Sequence, residues 1–135
     1  MNELSYSDAT PAVDEYLELR AKAGLSAYAP DAAAKGLSGT CFAVCVRDNA
    51  QLIGMGRVIG DGGCFFQIVD MAVDPGYQRR GIGFEIMTRL MQALRQNAPK
   101  SAYVSLIADG PASQLYERFG FEFTAPASAG MALRL

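Results

Sequence analysis

The 135-residue chain contains no histidine. That absence excludes the Ser-His-Asp arrangement, a cysteine nucleophile activated by imidazole and most zinc sites. Proton chemistry has to use carboxylates, tyrosine, water or backbone groups, and no metal is expected. Cysteine is scarce as well: Cys41, Cys45 and Cys64 form an odd set without C-x-x-C spacing, read as ordinary buried thiols. Positive charge is not in excess. Twelve Lys and Arg stand against 14 Asp and Glu, for a formal net charge of −2 and a pI near 5.0. No overall positive field exists to hold a polyanion, so nucleic acid is not an expected partner. Long hydrophobic runs are also missing. No stretch approaches the roughly 18 apolar residues of a membrane span, and the opening MNELSYSDAT lacks an apolar leader core. A cytoplasmic protein with no membrane contact is expected.

Half of the residues are hydrophobic, enough for one domain over residues 1–135 with a sizeable core. TPAVDEYLELRAKAGL (10–25) opens on Thr10 and Pro11, spaces Val13, Tyr16, Leu17 and Ala21 helically, and stops at Gly24. PDAAAKGL (30–37) predicts a short second helix ended by Gly36. TCFAVCVRD (40–48), QLIGMGRVIG (51–60) and CFFQIVDMAV (64–73), separated by turn residues, predict a three-strand antiparallel meander. Between the second and third of these strands, Asp61 reads as a turn residue. Ile82, Ile86, Leu90 and Leu94 stripe a long amphipathic helix over 81–97, closed by Pro99. AYVSLIA (102–108) reads as a strand, PASQLYERFG (111–120) as a short helix, and FEFTA (121–125) and GMALRL (130–135) as closing strands. The pattern is α+β, with a parallel pairing around the long crossover helix. The two apolar closing strands offer a surface for pairing across a homodimer.

PGYQRRGIGFEIM (75–87) places two arginines and two glycines directly before the amphipathic run. Glycine is destabilising at a helix start unless something needs the space. The first turn of a helix has N–H groups without internal partners and a positive dipole end, and a diphosphate satisfies both. Gly81 and Gly83 remove the Cβ atoms that would keep phosphate oxygens away, while Arg79 and Arg80 add charge. A flexible solvated turn with two surface arginines is the plainer reading of the same residue types. A Walker A loop would need a lysine that is not here, and a dinucleotide fingerprint would need glycine or alanine where Ile86 stands.

VDMAVDPGYQRRGIGFEIMTRLM (69–91) closely resembles the main motif of the GCN5-related N-acetyltransferase (GNAT) superfamily, [QR]-x-x-G-x-[GA], matched at Gln78, Gly81 and Gly83. SQLYERFGF (113–121) resembles the superfamily's later motif, an aromatic residue followed by a Gly-Phe pair. The resemblance implies a GNAT-like fold: a twisted mixed antiparallel and parallel sheet of six to seven strands, its central strands splayed, flanked by about four helices. It implies acetyl-CoA as cosubstrate, its diphosphate on the amides of Gln78, Arg79, Arg80, Gly81, Ile82 and Gly83. Main-chain groups of Met71, Ala72 and Val73 would pair with the pantetheine arm like an added strand, and Ser113 would contact that arm.

The implied activity is acetyl transfer to a primary amine, of a small molecule given the short chain, by direct attack. A catalytically silent acyl-CoA sensor is the alternative. Tyr116 matches the family tyrosine that protonates the departing thiolate; its plainer role is a packed aromatic. Gln67 stands where histone-type members carry a catalytic glutamate, and an amide accepts no proton at neutral pH. Asp70 then becomes the candidate that activates the amine, or a structural carboxylate; strand alternation puts it opposite Gln67. Arg20 and Arg57 are read as solvated, or as contacts for a substrate anion.

Overall fold

The computed structural model describes residues 3–135. Its elements run β1 (Leu4–Ser7), α1 (Val13–Lys22), α2 (Pro30–Ser38), β2 (Phe42–Asp48), β3 (Gln51–Gly60), β4 (Phe65–Val73), α3 (Ile82–Asn97), β5 (Tyr103–Leu106) and α4 (Ser113–Glu117). The five strands lie in the order β1-β2-β3-β4-β5. β1 to β4 pair antiparallel. β4 and β5, joined through α3, pair parallel from Phe65 with Tyr103 to Ile68 with Leu106, as a strand-helix-strand crossover requires. β4 then runs on to Val73 while β5 stops, so the two part company beyond Ile68.

Helices cover both faces. The apolar stripe of α3 (Ile82, Ile86, Met87, Leu90, Leu94) packs on Val44, Val46, Ile53, Val58, Phe66 and Ile68. Tyr16 and Leu19 of α1 and Ala33 and Leu37 of α2 pack on Cys45, Leu52, Met55 and Ala72 from the other side. This two-sided burial explains why β3 is buried without interruption from Leu52 to Val58.

Two expectations on the strands change. The sheet has five strands among the described residues, not six to seven, because 121–125 and 130–135 form none. Their β propensity reflects fit to a pleated, half-buried surface, and no ladder partner receives them; Met131 is 93% exposed. β1, four residues with polar alternation, was not expected and forms by pairing with β2. Cys64 is exposed rather than buried, whereas burial pushes the Cys45 thiol up to about 11. Asp61 is turn chemistry as read: its Oδ1 accepts from the amides of Gly63, Cys64 and Phe65. No helix among the described residues is long and apolar enough to cross a membrane.

A bulge shapes the centre of the sheet. Met55 pairs with Ala72 and Arg57 with Val69, so Gly56 faces two residues, Asp70 and Met71. Asp70 takes a left-handed backbone, φ 59°. The extra residue resets the alternation of β4: Phe66 and Ile68 face α3, and so do Met71 and Val73. Gly56 lets α3 close onto this kink. A methyl there would stand 2.6 Å from the Met71 sulfur and 2.8 Å from Ile86 Cγ2. Gly56→Ala is therefore expected to destabilise by about 1–3 kcal/mol through overpacking, read as a lower denaturation midpoint with unchanged m.

Candidate functional site

The connection from β4 to α3 is a tight series of bends. Asp74 Oδ1 accepts from the Gly76 amide at 2.9 Å, a 3-10 turn spans Pro75–Tyr77, and the Tyr77 hydroxyl donates to Asp48 Oδ2. Gln78 Nε2 reaches back to the Val73 carbonyl at 3.1 Å. Arg79 and Gly81 then adopt left-handed conformations, φ 65° and 77°; glycine takes that region without penalty. The result aims the start of α3 outward. The first main-chain bond after the turn runs from the Glu85 amide to the Gly81 carbonyl at 3.1 Å, and no side chain caps the helix. The Ile82, Gly83 and Phe84 amides therefore lack helical partners at the positive end of a 16-residue helix.

Packing does not demand glycine at 83: a Cβ there would meet only Leu115 Cδ2, at 3.7 Å. The space is open for a ligand. Arg79 is exposed, and the Arg80 guanidinium lies 5.2 Å from the centroid of the Tyr77 ring.

A cavity of about 280 Å³ runs from these amides past Met71, Ala72 and Val73 to Tyr116. Gln78, Arg79, Gly81, Ile82 and Gly83 line it as well. Of the residues expected around the cosubstrate, Arg80 and Ser113 are the two that do not. Ser113 opens α4 and faces a neighbouring cavity of about 390 Å³ that also touches Tyr116.

Tyr116 stands at the junction. It is 8% exposed, with Phe121 edge-on at 6.4 Å between centroids. Burial, and secondarily the charge of Asp109, raises its pKa above the ordinary 10.0. No protein group among the described residues hydrogen-bonds its hydroxyl, so the proton is available to a ligand in the cavity.

Beyond Tyr116 lies a third cavity, about 590 Å³, lined among others by Arg20, Ser26, Tyr28, Gln67, Asp70 and Arg134. Gln67 and Asp70 share it because the bulge cancels the alternation that strand periodicity assigns them. The Asp70 side chain is 6% exposed and its oxygens are heavily engaged. Arg57 Nε donates at 2.7 Å, the Tyr16 hydroxyl at 2.8 Å, and Arg20 Nη1 donates to the other oxygen. Arg57 also reaches Thr40 Oγ1 at 2.7 Å, and Arg20 Nε reaches the Ser26 carbonyl at 2.9 Å. Arg20 and Arg57 are 6% and 7% exposed, which corrects the solvated reading of both. Burial, reinforced by the bond to Asp70, keeps the Tyr16 phenol protonated by raising its pKa. Sequence reasoning missed Ser26, Tyr28 and Arg134, which carry no motif and meet only through the fold.

The family model "Acetyltransferase (GNAT) domain" matches residues 10–132. Among characterised relatives, the histone acetyltransferase TAP1 of Glycine max is 33% identical over 84 residues, 62% of this chain and 36% of that protein. The chloroplastic GCN5-related N-acetyltransferase 2 of Arabidopsis thaliana is 36% identical over 85 residues, 63% of this chain and 32% of that protein. The chain thus spans about a third of the length of these curated relatives. A crystal structure of a probable acetyltransferase from methicillin-resistant Staphylococcus aureus superposes with a TM-score of 0.94 at 45% identity, covering 98% of this chain and 100% of that one. Glucosamine-6-phosphate N-acetyltransferase from Arabidopsis thaliana, 12% identical with a TM-score of 0.72 over 98% of both chains, shares the fold.

Proposed function

Since the chain belongs to the GNAT acetyltransferase family, we propose that it transfers the acetyl group of acetyl-CoA to the primary amine of a small molecule, with both substrates bound together. The observation that carries this reading is the continuous cavity from the uncapped amides of α3, along the stretch of β4 that β5 leaves open, to Tyr116. These groups suit the cosubstrate. Amides at a helix N-terminus, flanked by Arg79 and Arg80, match a diphosphate. Past Ile68 the β4 backbone has no β5 partner, so Met71, Ala72 and Val73 present an open edge to an amide-bearing arm.

Bound there, acetyl-CoA supplies an activated thioester carbonyl and a thiolate leaving group. The chain's own residues orient and protonate. Tyr116 holds its proton through the neutral range and delivers it to the departing sulfur. Gln67 accepts no proton. In this reading Asp70 fixes Arg20 and Arg57 beneath the acceptor cavity, and the amine loses its proton to water before attack. An acceptor cavity of about 590 Å³ suits a small molecule.

Thermal shift tests the cosubstrate assignment. Acetyl-CoA or CoA at about 100 times Kd stabilises a binding-competent fold by about 2.7 kcal/mol, a rise in Tm of roughly 5–15 °C. ATP at the same concentration is expected to leave Tm unchanged. Equal shifts with ATP, or none with acetyl-CoA, would refute the assignment.

A further inference from the structure

At the far end of the acceptor cavity, two like charges converge. The Arg20 and Arg134 guanidinium carbons lie 4.7 and 5.7 Å from the centroid of the same ring, Tyr28. Both side chains also donate to the same hydroxyl, Ser26 Oγ, at 3.1 and 3.2 Å. Arg20 already shares Asp70 with Arg57, and Arg134 has no ion pair among the described residues. Two guanidiniums, Arg20 and Arg134, and two carboxylates, Asp70 and Asp109, line this cavity, and Asp70 is further held by Arg57 from behind it. Arg20 is more than nine-tenths buried, whereas Arg134 is exposed.

Like charges that converge on one hydroxyl repel, and an anion between them relieves the repulsion. The hydroxyl adds a third donor. With both lone pairs of Ser26 Oγ taken by guanidinium N–H groups, its own proton is free to donate. A planar fork, a second fork and a hydroxyl around one point form a receptor for carboxylate or phosphate oxygens.

We infer that this corner binds an anionic group of the acceptor, so that the substrates are small amines carrying a carboxylate or phosphate at the end away from the nitrogen. The inference rests on the cavity being the acceptor site, since Tyr116 lines its other end. Of the two carboxylates that line the cavity, Asp70 is already held by two guanidiniums, which leaves Asp109 alone to attract a cationic acceptor.

The test uses matched amines that differ in charge: 1-aminobutane against 4-aminobutyrate, and ethanolamine against O-phosphoethanolamine. Each is titrated calorimetrically into the full chain saturated with CoA. At least one anionic amine is expected to bind tenfold or more tighter than its neutral-tailed counterpart, and the two pairs tell carboxylate from phosphate. In Arg134→Gln, a change at an exposed side chain, that ratio should fall at least fivefold while affinity for the uncharged-tail amine stays constant. Equal affinities, tighter binding of the plain amines, no binding of either anionic amine at millimolar concentration, or an unchanged ratio in Arg134→Gln would overturn the inference. The preceding CoA titration separates the two layers. Failure there removes the acetyltransferase reading itself; normal CoA binding with plain amines or polyamines preferred removes only the anionic-acceptor inference.

Discussion

Asp70→Ala is expected to destabilise the fold by about 3–5 kcal/mol, the cost of stranding buried charges after one partner is removed. Arg20 and Arg57 would keep their bonds to Ser26, Thr40 and Gly36 but lose the carboxylate that compensates both. The Tyr16 hydroxyl would lose its acceptor as well. A domain this size typically has 5–15 kcal/mol of stability, so the variant sits near the edge of folding. Urea denaturation followed by circular dichroism measures it. Asp70→Asn separates the structural role from a catalytic one. An amide fills the same volume but meets two guanidiniums without charge, so a large stability loss is again expected. A proton acceptor would add a second effect: the folded fraction of Asp70→Asn would lose kcat by about 10²-fold, whereas a structural carboxylate leaves kcat per folded molecule close to wild type.

Tyr116→Phe carries the second large effect. Losing a positioned general acid lowers kcat by about 10²-fold or more, equivalent to about 2.7 kcal/mol in the transition state. The hydroxyl has no hydrogen-bond partner among the described residues, so its removal should leave Tm and the KM for acetyl-CoA close to wild type. The pH profile gives a sharper signature. Because burial raises the Tyr116 pKa above 10.0, the acid is fully protonated at neutral pH, and its contribution is lost only as pH climbs through that raised value. Wild-type activity should therefore rise with pH as the amine deprotonates and fall only above about pH 10. Tyr116→Phe should lack the falling limb. A fully active Tyr116→Phe enzyme with the same profile would exclude the proton-donor role.

The turn that leads into α3 was legible in the sequence because it depends on backbone. Gly81 takes a left-handed backbone and Gln78 ties the turn back to the Val73 carbonyl, both within one strand-to-helix turn, so a short local pattern carries the information. The sheet order from β2 to β5 was legible for a similar reason: turn residues and hydrophobic period determine each piece locally. The cavity proposed for the acceptor was hidden. Period 2 placed Gln67 and Asp70 on opposite faces, and one inserted residue at the bulge, forced by nothing visible in the composition, brought them into the same cavity. Arg20 and Arg57 looked solvated because isolated cations usually are; their partner Asp70 is 50 and 13 residues away. Ser26 and Arg134 lie 108 residues apart, beyond any spacing rule. The closing segments erred in the opposite direction. Apolar composition in 121–125 and 130–135 suggested strands, but a strand needs a neighbour to accept its ladder, and composition does not supply one.

On the function proposed above, unpaired amides at the start of α3 hold the diphosphate of coenzyme A. A crystal structure of the chain with CoA measures this directly. The predicted result is diphosphate oxygens within 2.7–3.2 Å of the amide nitrogens of Ile82, Gly83 or Phe84, with the arm running along Met71–Val73 toward Tyr116. A diphosphate seated elsewhere, leaving those amides to solvent, would contradict it.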